Sequence, residues 1–184
     1  MNRQYFSNIN KIKGFSLIEL MIVISILGLL LALAMPNFAD TIESANTNSQ
    51  IKVMMTTLNL ARSESIKRGT DVSICATDDG LDCNADTWSD GWMVFVDNNG
   101  DADGDAGSVD AGDIIIRVYD SLGAGSTMTF TVDLLSYNSL GFSATGGTQT
   151  FLLCPPSNNA NNARSVVIGP SGRGRRVEDG LVCA

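Results

Sequence analysis

Three regimes of hydrophobic and polar patterning follow one another along the chain. From Leu20 to Met35, the sixteen residues LMIVISILGLLLALAM carry no formal charge. A continuous apolar run of this kind suits a bilayer or a filament core better than one face of a soluble helix. Beyond Pro36, apolar and small residues recur at steps of three and four: Ile51, Met54, Met55, Leu58, Ala61 and Ser65. That spacing lines one face of an amphipathic helix, and Lys67, Arg68 and Gly69 form a stop signal. The pattern predicts one long helix over residues 15–68, about 80 Å at 1.5 Å per residue. Its second half is expected to pack on the rest of the chain.

Beyond Gly69 the pattern changes to short β-rich runs between turn residues: DVSICA, WMVFVD, DIIIRVY, STMTFTV, TQTFLLC and ARSVVIG. Trp92, Val94 and Val96 alternate with Met93 and Phe95. Both sets are apolar, which predicts a strand buried on both faces. A long N-terminal helix followed by antiparallel strands is an α+β layout, with a β-rich globular domain over residues 69–184.

Composition changes this picture in two ways. The chain has 184 residues and no histidine, so His-based acid–base chemistry and His metal ligation are excluded. No nucleophile–base constellation stands out, and the chain does not read as an enzyme. Four cysteines permit three pairings. Cys75–Cys83 with Cys154–Cys183 is the expected pair of disulfides. The first closes a hairpin-sized loop across TDDGLD, and the second ties the chain end to a strand; both imply an oxidising compartment.

The N-terminus reads MNRQYFSNINKIKGFSLIELMIVISILGLLLALAMPNF. Arg3, Lys11 and Lys13 precede the apolar run, as in a secretory signal. Glu19 does not fit that reading, because a carboxylate at membrane depth costs roughly 2.5–3.5 kcal/mol and needs a partner or a function. The stretch KGFSLIELMIVISILGLL resembles the class III signal of type IV pilins and pseudopilins. The resemblance implies a leader over residues 1–14, cleaved after Gly14 by the prepilin peptidase, which also methylates the new N-terminus at Phe15. It implies a hydrophobic transmembrane and assembly segment over 15–36, with Pro36 matching the family's helix-kinking proline. Glu19 would pair with the Phe15 amine of a neighbouring subunit, which compensates the buried charge. The family's path runs from the inner membrane, with the globular domain periplasmic, to an extracellular pilus whose other pilins and minor pilins are the partners.

Downstream, LARSESIKRGTDVSIC, WSDGWMVFVDNNGD and GDIIIRVY occur in the order expected of the FimT/GspH minor pilins and pseudopilins, and the chain resembles FimT most. From Asp78 to Asp113 there are eleven aspartates and no basic residue. Within that region NGDADGDAGSVD approximates a Ca²⁺ loop, and pseudopilins of one related class bind calcium in a loop. Asp97, Asp101, Asp103 and Asp105 are the candidate ligands. The helices that flank an EF-hand are missing from the pattern, and Gly/Asp-rich loops are commonly solvated turns. No other cofactor is expected.

Against this acidic background stands SGRGRR, Ser171 to Arg176. The whole chain carries 12 − 20 = −8, and removal of the leader leaves 9 − 20 = −11. Arginine guanidiniums suit paired contacts with phosphate oxygens, and glycines let the main chain come close to a partner. Gly172-Arg173-Gly174-Arg175 matches the GRxR motif of FimT-type DNA-uptake pilins. The resemblance implies DNA binding in natural transformation, with the motif's two arginines, Arg173 and Arg175, as contacts. The residues themselves add Arg176 and Arg164, with Gly172 and Gly174 bringing the main chain to the DNA, and about three or four phosphate contacts imply weak binding without sequence preference. No aromatic residue lies in SGRGRRVEDG, so the segment offers no base stacking. The competing reading is a structural minor pilin or type II secretion pseudopilin that primes assembly without binding DNA, its arginines paired with Glu178, Asp179 or the acidic loop.

Overall fold

The computed structural model describes residues 14–98, 109 and 112–183, with the side chains of 33–37 and 124 outside that description. The chain divides into two compact units, Met1–Ala39 and Asp40–Ala184. Helix α1 is continuous over Leu17–Arg68, with Glu19 in its first turn.

In the first unit, every described side chain through Ala32 is exposed, including Phe15, Leu17, Ile18 and Ile22. A contiguous apolar surface of that kind marks contact with lipid or with other protein. Among the described residues no helix is long and apolar enough to cross a membrane. The described side chains of the apolar run stop at Ala32, short of the ~20 residues a crossing takes. The expected segment over 15–36 extends into side chains outside the described residues, as does the leader before Gly14.

In the second unit, α1 ends where Gly69 takes φ +70° and donates its N–H to the Ser65 carbonyl at 2.9 Å. Closing a helix in the left-handed region costs least at glycine. Ile51, Met54, Leu58, Ala61 and Ser65 are buried, so the period of three and four does become the packed stripe.

That stripe meets two four-stranded antiparallel sheets. In the first, β1 (Asp71–Ala76), β2 (Gly91–Asp97), β3 (Ile114–Asp120) and β5 (Leu134–Tyr137) run in the order β3-β2-β1-β5. In the second, β4 (Thr127–Phe130), β6 (Gln149–Cys154), β7 (Arg164–Ile168) and β8 (Gly174–Val177) run in the order β4-β6-β7-β8. Every residue of β2 is buried. Trp92, Val94 and Val96 face the main core with Met54 and Leu58, whereas Met93 and Phe95 join Cys75 in a second cluster. Each such side chain contributes about 1.5–3 kcal/mol by burial. The Trp92 indole N–H donates to Thr57 Oγ1 at 3.1 Å, so its polar atom is satisfied inside the core.

Two strands fall outside the six runs read from the pattern. LLSY in β5 is short, and GRRV in β8 lacks apolar alternation; both form because neighbouring strands offer a free edge.

Cys75 is bonded to Cys83 and Cys154 to Cys183. The second bridge fastens the end of β6 to the segment after β8 across 29 residues. Replacing both Cys154 and Cys183 with serine is expected to cost about 2–4 kcal/mol, measured as a lower Tm than the parent protein under non-reducing conditions. An unchanged Tm would refute a stabilising role for the bridge.

Asp101, Asp103 and Asp105 lie outside the described residues, and Asp97 is buried at the end of β2. Among the described residues no group of three His, Cys, Asp or Glu side chains is placed to hold a metal ion.

Candidate functional site

The arginine segment is the return arm of a hairpin. After β7, Gly169 to Gly172 make a tight turn in which the Gly172 N–H donates to the Gly169 carbonyl at 2.9 Å, and β8 then pairs with β7. Gly172 has φ +72° and is buried; a Cβ there would overlap the Gly141 carbonyl oxygen and come within 3.0 Å of the Tyr137 ring. A Cβ on Gly174 would lie 3.1 Å from Val166 and 3.2 Å from Leu58. The sequence reading assigned both glycines to a DNA contact. Their close neighbours are parts of this same chain, so their smallness serves the packing of the turn.

Strand alternation then sorts the arginines. Successive residues of a strand point to opposite faces. Gly174 and Arg176 face α1, and Arg173 and Arg175 take the opposite parity. Arg173 and Arg175 are exposed and make no hydrogen bond or ion pair with any described residue. Arg176 is drawn inward: one guanidinium N–H donates to Asn48 Oδ1 of α1, and its Nε pairs with Glu178 at 2.8 Å.

Arg164 must be removed from the candidate contacts. It shares the inward face with Val166 and is 7% exposed. Its Nε donates to Asn48 Oδ1 at 2.9 Å, Nη1 to the carbonyls of Asn161 and Ala163 at 3.0 and 2.6 Å, and Nη2 to Ser44 Oγ at 3.1 Å. Four of the guanidinium's five N–H donors are committed inside the fold and the side chain is buried, so it is not placed to meet phosphate. Arg164 and Arg176 converge on one amide oxygen and fasten the second sheet to α1. Beside them Glu43 accepts from Asn162 Nδ2, Ser157 Oγ and the Ser157 N–H. Partial burial raises its pKa, but these hydrogen bonds outweigh that and hold the carboxyl below its ordinary value. Its contribution is therefore present at neutral pH and lost as pH falls through the lowered pKa.

The turn leans on a loop that sequence reading did not connect with it. Asn138 organises residues 138–142: its Oδ1 accepts from the N–H groups of Leu140 and Phe142, its N–H donates to the Phe142 carbonyl, and its carbonyl accepts from Gly141. Arg62 Nε of α1 donates to the Gly141 carbonyl at 2.8 Å, and the Ser143 N–H to the Pro170 carbonyl at 3.1 Å. Tyr137 lies beneath Gly172, where burial pushes its hydroxyl pKa far up, with nearby Arg62 opposing. The local signal was NSLGFS, an apolar pair around a glycine, but nothing in the linear order relates it to SGRGRR.

The family described as Type II transport protein GspH matches residues 50–172, from the packed half of α1 to the arginine turn. The chain belongs to the GspH family. The Prokaryotic N-terminal methylation motif matches residues 9–35, and the protein is type IV pilin-like, of the minor pilin and pseudopilin group. The type IV minor pilin FimU of Pseudomonas aeruginosa, in one crystal form, superposes with a TM-score of 0.57 at 20% identity, covering 77% of this chain and 95% of FimU. A second crystal form of FimU gives 0.53 at 19% identity over 74% and 96%. The minor pseudopilin EpsH from the type 2 secretion system of Vibrio cholerae gives 0.49 at 15% identity over 74% and 99%. The FimU likeness establishes that this GspH-family chain has the pilin fold, a long helix with antiparallel sheets.

Proposed function

We propose that this GspH-family protein is a minor pilin that joins a type IV pilus and binds DNA without sequence preference, for DNA uptake in natural transformation. The leader is removed after Gly14, Phe15 is methylated, and the exposed apolar helix is held in the inner membrane before assembly. Glu19 then meets the Phe15 amine of a neighbouring subunit. One observation carries the DNA reading: in a mature chain of charge −11, Arg173 and Arg175 stand exposed with no acidic partner among the described residues. Two guanidiniums at the same strand parity, two residues apart on a braced turn, suit neighbouring phosphates.

With Arg164 and Arg176 committed to the fold, the expected salt dependence is shallow. Two phosphate contacts give a log–log slope of about −2 on duplex DNA and an affinity in the micromolar range or weaker. Several subunits on one fibre would raise this through avidity. The test is the double variant Arg173→Gln, Arg175→Gln of the full chain in nonionic detergent. Fluorescence anisotropy with a labelled duplex at low salt should show binding lost and the salt slope gone, while transformation falls and piliation persists. Loss of piliation in that variant, or undiminished DNA binding, would overturn the proposal and favour a structural subunit.

A further inference from the structure

We propose that the DNA surface continues from the arginine turn onto the 138–142 loop, where Phe142 stacks on a nucleobase, so that the preferred ligand is single-stranded DNA. This rests on the DNA-binding reading above and adds to it a residue and a strand preference. The juxtaposition is fixed by backbone contact: Gly172 has no room for a Cβ because the Gly141 carbonyl occupies that space. Phe142 follows Gly141 and Arg173 follows Gly172, so their Cα atoms lie within about 13 Å, one step of about 3.8 Å on either side of the contact. Leu140 and Phe142 are 70% and 50% exposed.

Two large apolar side chains so placed do nothing for the core, yet their backbone is tightly determined. Asn138 makes four hydrogen bonds within the loop, Arg62 holds the Gly141 carbonyl from α1, and Ser143 is tied to Pro170. The result is a hydrogen-bonded loop that carries an exposed aromatic residue near Arg173, a cation without a partner among the described residues. Rings and positive charge together are the elements of single-strand binding: guanidiniums follow the phosphates, and an aromatic face replaces the stacking partner a base has lost. Duplex bases already have both faces covered, so Phe142 offers them nothing. The ring comes from a segment about 30 residues away in sequence from the arginines it serves, which is why SGRGRRVEDG by itself lacked one.

The experiment uses the full chain in nonionic detergent with two probes, labelled oligothymidylate of 20 nucleotides and a 20-base-pair duplex of mixed sequence. Phe142→Ala should weaken oligothymidylate binding by about 5- to 150-fold and leave duplex binding within twofold. Phe142→Trp should retain oligothymidylate binding, and its added indole fluorescence should be quenched on titration. The inference is overturned if Phe142→Ala leaves both affinities unchanged, lowers both equally, or if the tryptophan variant shows no quenching. In those cases the DNA-binding reading still stands, provided the Arg173→Gln, Arg175→Gln variant loses both probes. Parent protein that binds neither probe at low salt overturns both.

Discussion

Gly172→Ala is expected to lower folding stability by about 2–5 kcal/mol. Holding a residue with a Cβ in the left-handed region costs roughly 1–2 kcal/mol, and forcing an extra carbon into packed structure adds about 1–3 kcal/mol. The neighbour in question is the Gly141 carbonyl oxygen, a backbone atom that Arg62 holds in place, so it cannot rotate away as a side-chain end would. For a chain of this size the loss corresponds to a Tm roughly 10 °C lower. Gly146→Ala is the control: its φ is +74° but nothing lies within 4 Å of the new carbon. It meets only the conformational cost, roughly 1–2 kcal/mol. If the two variants melt together, the turn does not pack on the 138–142 loop as described. Displacement of the turn also moves Arg173, so Gly172→Ala should weaken DNA binding even at temperatures where the protein remains folded.

Arg164→Met has the second large effect, and it separates structural arginine from binding arginine. Methionine fills a similar volume but offers no donor to the Asn161 and Ala163 carbonyls or to Ser44, which the guanidinium now satisfies. Asn48 keeps Arg176. The buried Ala163 carbonyl left without a partner costs about 1–3 kcal/mol before relaxation, the partly buried Asn161 carbonyl and Ser44 hydroxyl add less, and a total of about 3 kcal/mol is expected by thermal unfolding. The salt slope of DNA binding should not change, because this side chain meets no phosphate. A slope reduced by about one at unaltered Tm would instead restore Arg164 as a DNA contact.

Some features were legible because they are local. The apolar run without charge, the stripe from Ile51 to Ser65 and the alternation of Trp92 to Val96 each depend on neighbours within a few positions. Helix and strand periods turn such neighbours directly into faces. The α+β pilin fold was readable for that reason, and the family motifs at Gly14, Phe15 and Glu19 are likewise contiguous. β5 and β8 were not readable in the same way. LLSY is too short and GRRV has a single apolar position, so neither declares a strand, and they form by completing an edge that distant residues built.

The site divides along the same line. By itself the sequence determined that this anionic chain carries a glycine-spaced arginine cluster behind a pilin-type N-terminus. Only the tertiary structure decided which arginines are available. Pairing β8 with β7 sent Arg176 and Arg164 toward Asn48, left Arg173 and Arg175 outward, and brought Phe142 to the same turn. The physical reason is that side-chain availability depends on strand parity and on long-range packing, and a guanidinium in the linear chain gives no sign of whether its donors will meet an amide inside the fold or a phosphate outside it.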